Sequence, residues 1–173
     1  MKYLVAVGVC WFLAVLNVSA MPFVKVLDVT PDLLLVFAVC WAVTRGYEEA
    51  LFVVPAAAVL RDLTTSDPLG LSLLAMAPIV LLALAVQMRA IESQFLPTVV
   101  VVAAGSVAYS IISMTVLALT GQSVPWGDAL LRVTLPWSVV NALFAPIIYL
   151  PVNWLSGRAS GGYGSPLRAP SRL

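Results

Sequence analysis

FLPTVVVVAAGSVAYSIISMTVLALT, residues Phe95–Thr120, runs for 26 residues without a charged side chain. The hydrocarbon core of a bilayer is about 30 Å thick, which about 20 residues of helix cross at about 1.5 Å per residue. A surface helix of a soluble domain would show a polar stripe at a period of about 3.6 residues. This run shows scattered hydroxyls and no such stripe, so it reads as a helix solvated by lipid.

Working outward, the same pattern recurs between charges: Tyr3 to Met21, Val29 to Thr44, Tyr47 to Leu63, Leu69 to Met88, and Thr134 to Leu155. With Phe95 to Thr120 these make about six spans. The fold class expected is therefore all-α, a polytopic integral membrane protein, with residues 1–156 as a six-helix transmembrane domain. The second and third runs are short for a full crossing, which calls for a start inside the interface, local thinning of the bilayer, support from neighbouring helices or a partly re-entrant path. Residues 157–173 are rich in Gly, Ser, Pro and Arg, have little to bury, and read as a disordered cytoplasmic tail.

Composition points the same way. The chain is 62% hydrophobic and only 10% charged, whereas soluble domains carry about a quarter charged residues. Its mean hydropathy of +1.05 leaves too few polar side chains to cover a water-facing surface. A net charge of +1 offers no concentrated basic face for nucleic acid. With no histidine, the commonest acid-base group and metal ligand is missing. The two cysteines, Cys10 and Cys40, sit inside apolar runs and read as small packing residues. An intramembrane enzyme would need a nucleophile with its base, or a metal cluster. The sequence offers neither pattern, and no cofactor is expected.

Boundary signals divide the spans. Thr30-Pro31-Asp32 offers an N-cap hydroxyl, a proline at the first helical position and an acid on the positive end of the helix dipole. Ser66-Asp67-Pro68 repeats the device before the fourth span. Asp128 and Arg132, four apart with the acid first, support an opening turn for the last span. Pro55, Pro78, Pro136 and Pro146 fall within spans, where neighbouring helices satisfy the freed carbonyls. Lys2, Arg45, Arg89, Arg158, Arg168 and Arg172 fall on one side, against Lys25, Arg61 and Arg132 on the other. By the excess of Lys and Arg in cytoplasmic loops, both termini are cytoplasmic. Val18-Ser19-Ala20 after an apolar stretch also resembles a signal-peptide cleavage site. Retention of the first span is preferred, because cleavage would leave five spans and disturb the charge pattern.

Polar residues within or beside the spans are the candidate functional groups. Arg61 and Asp62 adjoin Asp67, Pro68 and Gly70 at the junction of spans three and four, as a partner-contact loop or a capped hairpin turn. Adjacent helical residues point about 100° apart, so Arg61 and Asp62 do not form a simple pair with each other. Glu48 and Glu49 follow Arg45 by three and four residues and could pair with it, but stabilisation of the helix dipole and a cytoplasmic anchor are the preferred reading. Asn17 and Asn141 lie within apolar runs, where an amide bonds to a neighbouring helix. Ala104 with Ala108, and Ser106 with Ser110, give span five a face for close helix approach. Trp126, Trp137 and Trp154 suit an interfacial aromatic belt.

One stretch resembles a known family. Pro31-Asp32 before Leu33-Leu34-Leu35, the Arg45-Gly46-Tyr47-Glu48 turn, and above all Asp62-Leu63 with Asp67-Pro68-Leu69-Gly70-Leu71-Ser72 are similar to the rod shape-determining protein MreD family of bacteria. Where the family often has glycines before its Asp-Leu, this chain has Ala50, Pro55 and Ala58. The remaining spans match in hydropathy alone. The resemblance implies a non-enzymatic, multi-pass subunit of the cell-elongation machinery in the bacterial cytoplasmic (inner) membrane, organising peptidoglycan synthesis and cell shape. It implies contact with an MreC-type scaffold, and through it with a RodA-type glycosyltransferase, a penicillin-binding transpeptidase and the MreB filament, with membrane lipid as solvent. It also implies structural similarity to the substrate-binding subunits of vitamin-type transporters. Such a small-molecule binding subunit is the rival function, since short, proline-interrupted spans create midplane sites lined by free backbone groups.

Overall fold

The computed structural model describes residues 2–26, 28–87 and 95–160. Arg89, Arg168, Arg172 and the part of the expected tail over 161–173 lie outside the described residues. Within them the chain is all-helical, with an isolated bridge between Val26 and Val29 in place of any strand. The order is α1 (Lys2–Ser19), a 3₁₀ turn (Met21–Phe23), α2 (Leu33–Arg45), α3 (Tyr47–Thr64), α4 (Leu71–Gln87), α5 (Phe95–Leu119), the single turn α6 (Trp126–Asp128), a π-helical segment (Ala129–Thr134) and α7 (Leu135–Ser160). The last helix thus continues four residues beyond the boundary expected at 156. Among the described residues two helices, Phe95–Leu119 and the continuous stretch Trp126–Trp154, are long and apolar enough to cross a membrane.

α2 is the axis of the fold. Eleven consecutive residues, Leu33 to Val43, are buried, so no face of this helix is left outside. It touches α1, α3, α4, α5 and α7, which surround it. α1 lies at the periphery and turns Ala6, Cys10 and Ala14 inward, four residues apart, while Leu4, Trp11 and Phe12 face out. α3 brings Ala50, Val53, Val54, Ala57 and Ala58 inward. These alanines supply a small-residue packing surface.

Several helix ends differ from expectation, each for a physical reason. Asp32, not Thr30, is the N-cap of α2: its side chain accepts from Leu35 N, and the helix begins at Leu33. Pro31 therefore precedes the cap. α4 begins at Leu71 rather than at Leu69, because Gly70 adopts φ +93°, outside helical geometry. Gly46, at φ +98°, makes the tight turn between α2 and α3. Pro136 lacks the N–H that would bond to the Arg132 carbonyl, and its ring crowds that turn. The π-helical segment Ala129–Thr134 ends just before it, which accounts for the wider turns there. The expected Asp128–Arg132 pair forms at 3.2 Å on the outside of this segment.

Candidate functional site

The polar groups converge where α1, α3 and α5 end and α2, α4 and α7 begin. The N-terminus of a helix leaves backbone N–H groups without intrahelical partners. At α2 that end is enclosed by other helices, so side chains must satisfy it. Asp32 Oδ1 accepts from Leu35 N at 3.1 Å. Asn17 of α1 accepts from Leu33 N at 3.1 Å and donates to Asp32 Oδ1 at 2.8 Å. Asn141 of α7 accepts from Asp32 N at 2.8 Å and donates to Ser106 of α5 at 3.0 Å. Both asparagines thus bind neighbouring helices, as read from their apolar settings.

The other oxygen of Asp32 forms an ion pair with Arg61 of α3. The guanidinium also lies over the ring of Tyr109, 4.6 Å from its centroid. The Tyr109 hydroxyl shares a hydrogen bond of 3.0 Å with Ser72 of α4. Ser72 N in turn donates to Asp62 Oδ1 at 3.0 Å, and Gly70 N to Asp62 Oδ2 at 2.7 Å. Each of the six long helices contributes at least one group to this network. Neighbouring positions on α3 thus face different tasks: Arg61 closes the N-terminus of α2, and Asp62 closes that of α4.

This arrangement revises the reading of the α3–α4 junction. Asp62 is buried and its carboxylate is spent on capping, so it offers no surface to a partner. Arg61 is likewise turned inward. Asp67, Pro68 and Gly70 are exposed on the turn. On α5 the inward face is Val101, Val102, Gly105, Ser106 and Tyr109. Ala104 is exposed and Ala108 half-buried, so this small-residue pair lies off the packed interface of the chain itself. At the opposite end of the bundle Arg45 approaches Glu49 at 4.0 Å. Trp126 and Trp154 are exposed, and Trp137 is half-buried against Tyr109, with ring centroids 5.8 Å apart.

Two cavities open beside Arg61. One, of about 470 Å³, lies under the α1–α2 connector and is bordered by Asn17, Lys25, Asp32 and Thr64. The other, of about 460 Å³, lies between α5 and the π-helical segment, bordered by Asp28, Ser113, Met114 and Leu117. Thr30, Arg61 and Trp137 border both. Tyr109, Ser72, Ser106 and Trp137 were not singled out from the sequence as members of this centre. The usable signal was Arg61 itself: a cation near apolar helix requires an acid, and Asp32 was the capping acid on the neighbouring span. Among the described residues no group of three or more His, Cys, Asp or Glu is placed to hold a metal ion. No family model, curated protein or solved structure matches the chain.

Proposed function

We propose that this chain is a multi-pass protein of the bacterial cytoplasmic membrane in which all six long helices cross the bilayer, with both termini cytoplasmic. In this reading it is an MreD-type, non-enzymatic subunit of the cell-elongation complex. It organises peptidoglycan synthesis through an MreC-type scaffold, and indirectly through the glycosyltransferase, transpeptidase and filament attached to it. Lipid as solvent accounts for the outward display of Leu4, Trp11, Phe12, Leu81, Leu96 and Leu150, a surface unsuited to water.

The observation that carries the reading is the Asp62 cap. Asp62-Leu63 and Gly70-Leu71-Ser72, the core of the resemblance, act as one physical unit, in which a single carboxylate receives the Gly70 and Ser72 N–H groups. A motif with a mechanical role of this kind marks a fold and is consistent with a scaffold. Partner recognition is assigned to the outer face of α5, where Ala104 and Ala108 admit close approach of a single transmembrane helix, and to the exposed turn at Asp67 and Pro68.

Co-purification with an MreC-type scaffold in mild detergent tests this. Ala104→Leu and Ala108→Leu are expected to reduce recovery of the scaffold without altering thermal unfolding. Unchanged recovery with both variants and with Asp67→Ala would remove these surfaces. Purification of the chain from the soluble fraction without detergent would end the membrane reading. A second reading, the substrate-binding subunit of a small-molecule transporter, draws on the two cavities that meet at Arg61. Adjacent genes for an ATPase, in place of those for MreB and MreC, would favour it.

A further inference from the structure

The cavity between α5 and the π-helical segment contains a chemical imbalance. Nε of Arg61 and Oγ of Ser113 are both buried and have no hydrogen-bond partner. Both residues border this same cavity. Buried donors without acceptors are costly and rare, and each calls for an explanation. The pairing of Arg61 with Asp32 and its stacking over Tyr109 leave Nε still unmatched.

The rest of the wall narrows what would supply the acceptor. Met114, Leu117, Ala129 and Val133 make it largely apolar. The gap exists because α5 packs closely along α7 but only sparsely against the π-helical turns before Pro136. Its volume falls within the roughly 300–1,000 Å³ range of small-molecule sites. The charges around the two cavities cancel, with Lys25 and Arg61 set against Asp28 and Asp32. A balanced site of this kind has no general preference for a bare cation or anion. What its unmatched donors require is an oxygen acceptor.

We propose that this cleft binds a small amphipathic molecule that directs a carbonyl oxygen, of an amide or a carboxylate, toward Arg61 and Ser113 and lays its apolar part along Met114, Leu117 and Trp137. The site does not depend on the choice between scaffold and transport subunit. In the topology proposed above, it opens toward the non-cytoplasmic face.

Titration calorimetry on the full chain in lipid nanodiscs, with empty nanodiscs subtracted for partitioning, tests the proposal. The probes are hexanamide, hexanoate, hexylammonium and inorganic phosphate. Saturable binding of hexanamide or hexanoate is expected, and the preference between them identifies the head group. Ser113→Val should weaken it about five-fold, the size of one hydrogen bond of about 1 kcal/mol. Ala129→Phe, which fills the mouth from a half-buried position, should abolish it while thermal unfolding stays unchanged. Absence of saturable binding by both carbonyl probes would overturn the proposal. So would equal binding of hexylammonium, binding of phosphate alone, or affinities unchanged in both variants. Such a result leaves the scaffold reading standing, since co-purification tests that separately.

Discussion

Replacing Asp32 by asparagine isolates the charge at the centre of the bundle. The amide keeps an oxygen for Leu35 N and Asn17, so the cap of α2 survives, while the partner of Arg61 is lost. Side-chain exposure is 5% for Asp32 and 17% for Arg61, so this is a buried pair and not a surface one worth at most about 1 kcal/mol. Breaking a buried pair from one side costs about 3–5 kcal/mol, because the remaining charge is left uncompensated. Removing both charges removes that penalty. The double variant Asp32→Asn/Arg61→Met should therefore be more stable than Asp32→Asn alone, by about 2 kcal/mol or more. Equilibrium unfolding in mixed micelles, followed by circular dichroism, measures both quantities. A single-variant cost below about 1 kcal/mol, or a double variant no more stable than the single, would refute the argument that Arg61 depends on Asp32.

Substitutions at four further positions test separate parts of the structure in the same assay. Asp62→Ala deprives Gly70 and Ser72 of their acceptor and should cost about 1–2 kcal/mol, with Asp62→Asn milder. Gly70→Ala should cost roughly 1–3 kcal/mol from backbone strain at φ +93°, since a Cβ there meets no atom within 4 Å. Gly105→Ala should be neutral or stabilising by up to about 1 kcal/mol, because its Cβ would lie 3.6 Å from Ile79 and Val39, an ordinary contact, within a helix that disfavours glycine. Arg132→Ala should change stability by less than about 0.5 kcal/mol, as its pairing with Asp128 is largely exposed.

The helices were legible because apolar runs between charges mark them directly. Tyr47 to Leu63 became Tyr47–Thr64, and Phe95 to Thr120 became Phe95–Leu119. Capping was less legible. Ser66-Asp67-Pro68 has the local form of a helix start, yet the cap of α4 comes from Asp62, on the preceding helix. Local pattern rules cannot see an acceptor delivered across a turn. The same holds for Asp32, whose backbone N–H is satisfied by Asn141, 109 residues away. Asn17 and Asn141 could be recognised as hydrogen-bonding groups, since an amide in an apolar run needs a partner. Their shared partner, the N-terminus of α2, follows from which helix lies in the middle, and hydropathy does not encode that.

The central position of α2 also explains its length. Thirteen residues make about 20 Å of helix, well short of a hydrocarbon core of about 30 Å. A helix exposed to lipid would have to cover that difference itself, with apolar side chains to each interface. α2 is enclosed by five other helices, so in the membrane reading proposed above that requirement would pass to its neighbours. Its N-terminus can then stop inside the bundle, provided every exposed N–H finds a side-chain acceptor and the helix dipole finds a negative charge. Asn141, Asn17 and Asp32 accept from the Asp32, Leu33 and Leu35 N–H groups, and Arg61 neutralises the carboxylate. Asp32 and Arg61, which look misplaced in an apolar sequence, are thus a consequence of burying a short helix at the centre.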